Sequence, residues 1–189
     1  MNNSIRTFVA IELPEPLQER ALKVERLIPS SEAYRWTRSE NLHLTLNFLG
    51  DVEHDVISEL CRKLERVVKE HDRIPIKVAG MGAFPKIEKP RVLWLDIQEG
   101  RQEIVNLQSD LTTAIEELKL NRDRLQFHPH VTLARIKKDR GFDESVTQAI
   151  HENENIQLGE FLACEVIVFG SFLESAGPTY TPMARMKLL

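Results

Sequence analysis

The chain has 189 residues, 42% of them apolar and 29% charged, which suits one globular domain or two closely packed lobes and carries no disorder signature. With 25 Lys and Arg against 29 Asp and Glu, the net charge is −4, so the chain is not a general polyanion binder. Any contact with nucleic acid must come from a local cluster of positive charge.

In chain order, "TFVAIELP" reads as a buried strand, ended by Pro14 and Pro16, which suit a helix start. Leu17, Ala21, Val24 and Ile28 then recur at helical spacing up to the "PSS" break. "YRW" and "HLTLNFLG" follow as extended segments, the second closed by Gly50. Ile57, Leu60, Cys61, Leu64, Val67 and Val68 mark one face of a second helix. "IPIKVAGMGAFP" and "RVLWLDI" read as two strands around a turn near "IEKP".

Ile104, Leu107, Leu111, Ala114, Ile115 and Leu118 give a third amphipathic helix. "HVTLARI" is a strand, and Phe142, Val146, Ala149 and Ile150 mark a shorter helix. "FLACEVIVFGSFLES" and "TYTPMARMKL" close the chain as strands across an "AGP" turn. Strand pairs adjacent in sequence and joined by short turns favour antiparallel pairing, so the fold class is α+β. The two halves look like approximate copies, each with its own histidine strand, and no linker separates them. Residues 1–189 therefore read as a single domain.

The two cysteines, Cys61 and Cys164, lack metal-ligand spacing, which argues against a disulfide framework or a zinc knuckle and fits a reducing compartment. The apolar run in "MNNSIRTFVAIELPEP" is too short for a signal peptide, and no stretch reaches bilayer length. A cytoplasmic protein with no membrane association is the expectation.

The informative feature is a repetition. "HLTL" at 43–46 and "HVTL" at 130–133 share one pattern. In a strand, side chains at i and i+2 share a face, so His43 stands with Thr45 and His130 with Thr132, each pair backed by apolar residues. Six histidines and nine threonines give an expected count of about 0.05 such motifs per chain by chance, so two copies in matching places are informative. Imidazole titrates near neutrality, so one histidine can take a proton while the other gives one. Two such groups across a cleft, with threonine hydroxyls donating to oxygens of a substrate anion, suit in-line displacement at phosphorus without a metal.

Other readings compete. His128, His130 and His43 could form a three-histidine metal site, but that leaves both threonines unexplained and gives His128 no counterpart, since Asn41 stands in its place. His128 is better placed as a supporting residue. His54, His71 and His151 lie among charged neighbours and read as solvated. "GMGAF" at 80–84 lacks the third glycine and following helix of a phosphate loop and reads as a bulged strand. The basic runs "NRDR" at 121–124 and "RIKKDR" at 135–140 flank the second motif as a modest rim for an RNA backbone. Trp36 and Trp94 are core residues by default. Trp36 or Phe48 could stack a terminal base, although Phe48 shares parity with the buried leucines.

These motifs and their flanks resemble the 2H phosphoesterases, and within them the RNA 2′,3′-cyclic phosphodiesterases also called 2′-5′ RNA ligases. The resemblance spans "RTFVAIELP", "RW", "NLHLTLNFLGDV", "PRVLWLDI", "FHPHVTLAR" and "GPTYTPM". It implies a bilobal, duplicated fold, with two antiparallel sheets flanked by helices around a V-shaped cleft. It implies a hydrolase that opens an RNA terminal 2′,3′-cyclic phosphate to a 2′-phosphate, the reverse reaction joining RNA ends through a 2′-5′ linkage. His43, Thr45, His130 and Thr132 carry over as the catalytic set; His130 is read as activating water and His43 as protonating the departing 3′ oxygen, with the swapped assignment left open. Arg135 matches a substrate-contacting arginine, though simple alternation places it opposite His130, so a bulge must re-aim it. No cofactor and no metal are implied; the partners are RNA ends or oligonucleotides bearing the cyclic phosphate, met by a monomer. The rival is a nucleotide- or RNA-binding module that uses the same pocket without turnover.

Overall fold

The structure, a computed structural model, describes residues 3–29, 32–120, 126–137, 144–174 and 177–189. Among the described residues, nine strands and four α-helices follow one another as β1 (Ser4–Glu12), α1 (Glu15–Glu25), β2 (Tyr34–Trp36), β3 (His43–Glu53), α2 (His54–Val68), β4 (Ile74–Phe84), β5 (Val92–Glu99), α3 (Arg101–Glu117), β6 (His130–Ile136), α4 (Glu144–Glu152), β7 (Gln157–Ala163), β8 (Glu165–Glu174) and β9 (Gly177–Lys187). The α+β class and nearly every element follow the hydrophobic periodicity. The turn at "PSS" falls partly, and the "NRDR" run wholly, outside the described residues, as do Phe142, Ala176 and the end of "RIKKDR".

The expectation of two sheets needs correction. The strands hydrogen-bond in one curled antiparallel path, β7-β4-β5-β6-β3-β1-β8-β9, with β2 paired to β6. Where two sheets would part, β3 and β6 are bridged at Leu44 and Val131 alone among the described residues. The two histidine strands are thus neighbours at the middle of the sheet. A second correction concerns "FLACEVIVFGSFLES", which breaks at Cys164: β7 pairs with β4 and β8 with β1, far apart along the path. No glycine or proline marks that break, so periodicity could not show it.

The main core lies between the sheet and the helices. Leu17, Ala21 and Val24 of α1, Leu60, Leu64 and Val68 of α2, and Ile104, Leu107 and Leu111 of α3 meet Val9, Ile11, Leu44, Leu95 and Val131 of the strands. These side chains are almost wholly buried, which at ~25 cal/mol per Å² of apolar surface is the chief source of stability. A smaller cluster of Phe8, Ala10, Ile167 and Phe169, with Tyr180 against it, lies on the opposite face of β1 and β8. β1 therefore buries both faces, and its second cluster floors the cleft.

Candidate active site

The register does most of the positioning. With Leu44 opposite Val131 in antiparallel strands, the flanking side chains of both strands turn to the face away from the main core. His43, Thr45, His130 and Thr132 all line one cavity of about 560 Å³ on that face. The catalytic set expected from the repeated motif is thus brought together.

Each histidine is fixed in the same way. Nδ1 of His43 lies 2.7 Å from the carbonyl oxygen of Asn41, and Nδ1 of His130 lies 2.6 Å from that of His128. A carbonyl can only accept, so Nδ1 carries a hydrogen and donates it, leaving Nε2 of each neutral ring with its lone pair.

Their surroundings differ. His43 packs against Phe8, Phe169 and Tyr180, with ring centroids 5.0, 6.5 and 5.5 Å away. Burial in this aromatic nest pushes its pKa down from 6.5 to about 4, against the Asn41 hydrogen bond, which raises it; His130 and Arg135 push it further down. His130 is also lowered, first by burial, with the His128 carbonyl and Asp96 opposing the fall. Asp96 on β5 is the register partner of His130, is paired with Arg101, and lies 3.5 Å from Nε2 of His128. His128 packs against Trp94 with ring centroids 5.0 Å apart and planes tilted by 59°, and has Asp96 near its Nε2, so it supports the motif strand as expected. Among the described residues no group of three or more His, Cys, Asp or Glu is placed to hold a metal ion.

A β-bulge brings Arg135 in. β5 advances one residue, Leu93 to Trp94, while β6 advances two, Ala134 to Thr132, so Leu133 is the extra residue. Both Leu133 and Ala134 are buried, and Arg135 returns to the cavity face. The same occurs on β3, where Leu46 is extra against Val9 and Ala10 of β1. Phe48 therefore does not follow the leucines as its parity suggests; it is 46% exposed and lines the cleft.

Several other expectations are settled by placement. Trp36 packs against Tyr34 and lines a separate surface hollow with Leu22 and Leu27, away from the histidines. Trp94 lies beneath the second motif, over Gly82. "GMGAF" is a bulged strand, as read: β4 advances from Val78 to Met81 while β5 moves only from Ile97 to Leu95, with Gly80 at φ +92°. His54 and His151 are exposed, but His71 is not simply solvated, since its Nε2 meets Asp110 of α3 at 3.0 Å. Sequence reasoning missed Phe8, Asp96 and Tyr180 as neighbours of the histidines. Their only sequence signal is membership of the flanking stretches "RTFVAIELP", "PRVLWLDI" and "GPTYTPM".

Residues 13–169 match the family described as the 2′-5′ RNA ligase superfamily. The chain belongs to that superfamily. Within it the chain belongs with the RNA 2′,3′-cyclic phosphodiesterases. The protein of that name from Methanothermobacter thermautotrophicus is 31% identical over 189 residues, covering 97% of this chain and 99% of the relative. Its Aquifex aeolicus namesake is 28% identical over 179 residues, covering 94% of each chain. Two solved structures share the superfamily fold. A crystal structure from Thermus thermophilus superposes with a TM-score of 0.81 at 23% identity, covering 97% of both chains. E. coli LigT complexed with 3′-AMP gives 0.80, also at 23% identity, covering 98% of both. No helix among the described residues is long and apolar enough to cross a membrane.

Proposed function

We propose that this chain is a metal-independent RNA 2′,3′-cyclic phosphodiesterase that opens a terminal cyclic phosphate to a 2′-phosphate. One observation carries the reading: both His-x-Thr pairs face one cavity, each with an Nε2 freed by a backbone carbonyl on Nδ1. The names of the full-length relatives support the same substrate class.

In the proposed reaction the cyclic phosphodiester sits between the imidazoles. Nε2 of His130 takes a proton from water as the water oxygen bonds to phosphorus. The bond from phosphorus to the 3′ oxygen breaks, and that oxygen receives the proton carried on Nε2 of His43. Thr45 and Thr132 donate hydrogen bonds to the non-bridging oxygens, and Arg135 offsets their charge. Asp96 supports His130 as the stronger base, whereas the aromatic nest makes protonated His43 the stronger acid. A substrate anion between the rings raises both pKa values and so favours the one-proton state that the reaction needs. With a 5′ hydroxyl in place of water as the nucleophile, the same residues would join it to the cyclic end through a 2′-5′ linkage, the bond from phosphorus to the 3′ oxygen again breaking.

The strand order supports a single domain of two intertwined, pseudo-symmetric lobes meeting at a V-shaped cleft. β3-β1-β8-β9 mirrors β6-β5-β4-β7 about the Leu44–Val131 bridge, and each half of the chain supplies strands to both.

The test is incubation with RNA ending in a 2′,3′-cyclic phosphate in the presence of EDTA, followed by identification of the monoester. A 2′-phosphate is expected. A 3′-phosphate, dependence on added metal, or binding without turnover would each refute the proposal, the last in favour of a binding module.

A further inference from the structure

The cleft extends from the histidines in two directions, and the two arms differ chemically. Both share Thr45, Phe48, His130, Thr132 and Arg135. One continues past Phe84 and Phe127 with the amides of Gln108 and Gln126, and adds no cation beyond the partly buried His128. The other continues past Tyr180 and Ser171 to Arg6. Among the described residues no carboxylate lines either arm, although the chain carries 29 Asp and Glu.

Arg6 is exposed and lies between Asp51 on β3 and Ser171 on β8 in the strand register. Among the described residues, neither Asp51 nor any other carboxylate forms an ion pair with it. Its charge is felt inside the cleft: together with Arg135 it opposes the rise in the Tyr180 pKa that burial causes. An unpaired guanidinium on a carboxylate-free wall, beyond the arginine beside the reacting phosphate, is a second anion position in a protein that is otherwise net negative.

We infer that Arg6 holds the phosphodiester one nucleotide before the cyclic end, so that the cleft distinguishes an oligonucleotide from a cyclic mononucleotide. The inference rests on the proposed phosphodiesterase reading. The terminal base would then occupy the uncharged arm, whose rings and amides suit a nucleobase better than a phosphate.

The experiment compares Arg6→Gln with the wild type on three substrates: a 2′,3′-cyclic mononucleotide, a dinucleotide ending in the cyclic phosphate, and that dinucleotide with a neutral methylphosphonate linkage. A hydrogen-bonded charge pair of ~1.5 kcal/mol corresponds to about tenfold. The expected result is a fall of about tenfold in kcat/KM on the charged dinucleotide, with under twofold change on the other two. The salt dependence of the dinucleotide reaction should flatten by about 0.7 in logarithmic slope, as for one phosphate contact on a single strand, and Arg6→Lys should restore it. Retained mononucleotide turnover certifies the fold of the variant. An equal loss on all three substrates places Arg6 at the reacting phosphate or in the fold and overturns the inference. Unchanged kinetics on all three also overturn it. A wild type that turns over none of the substrates instead defeats the phosphodiesterase reading.

Discussion

Replacing His43 by Gln tests how strongly the aromatic nest resists charge on that ring. In the folded chain its pKa is about 4, chiefly through burial, and on unfolding it returns to 6.5. The unfolded state therefore binds more protons between these values. The stabilisation from keeping the ring neutral is fully present above pH 6.5 and is lost as pH falls toward 4. Integrated from pH 7 to pH 4.5, this single group costs about 2 kcal/mol of stability. His43→Gln has no proton to gain, and the lowered histidines at 128 and 130 remain in both proteins, His130 differing only by the smaller coulombic effect of its neighbour His43. Urea unfolding followed by tryptophan fluorescence at the two pH values measures the difference. The wild type should lose about 2 kcal/mol more than the variant on acidification. Equal pH dependence in the two proteins would refute the claim that Phe8, Phe169 and Tyr180 hold this imidazole neutral.

Asp96→Asn should move the alkaline limb of kcat/KM to lower pH, because Asp96 opposes the fall in the His130 pKa; an unmoved limb in the pH–rate profile counts against that link. In the wild type, both histidines being lowered, kcat/KM should peak on the acid side of pH 6.5 and decline above it, as steady-state kinetics across pH will show. A substrate with sulfur in place of the departing 3′ oxygen needs no proton donor. It should restore turnover to His43→Ala but not to His130→Ala, and the opposite pattern would swap the two roles. Gly82→Ala places a methyl 2.4 Å from the Trp94 ring, so the ring beneath His128 and His130 must shift. A stability loss of about 1–3 kcal/mol with a lowered kcat is expected, and unchanged kcat would show that Trp94 does not position the motif.

The two motif strands show what could be seen in the sequence and what could not. Their alternation placed His43, Thr45, His130 and Thr132 on one face, and all four line the cavity. Beyond the fourth residue, alternation fails in the same way twice. Leu46 and Asn47 are both buried before Phe48 emerges, just as Leu133 and Ala134 are both buried before Arg135 emerges. A bulge is a relation between two strands, set where β1 and β5 pair with the motif strands, and a single strand's period carries no trace of it. Arg135 could be anticipated only because its expected role conflicted with its parity. Phe48 met the same conflict with only a candidate stacking role, carried by no motif match, to counter it. Asp96 was hidden for a related reason: it becomes a neighbour of His130 through the β5–β6 register, 34 residues away in sequence.

The same comparison explains how a duplicated motif can serve two chemical roles. Inside each copy the imidazoles are equivalent: both donate from Nδ1 to the carbonyl two residues back, and both present Nε2 to the cavity. The difference comes from the strands on either side. β1, β8 and β9 bring Phe8, Phe169 and Tyr180 to His43, an environment that penalises a cation. β5 brings Asp96 to His130, where burial lowers the pKa as well but the carboxylate opposes the fall. A symmetric pair of rings with one shared pKa could not divide donor from acceptor before substrate arrives. Under the proposed chemistry, the division is supplied by neighbours that the repeat does not include, so exchanging those neighbours should alter the acid–base assignment even with both motifs intact.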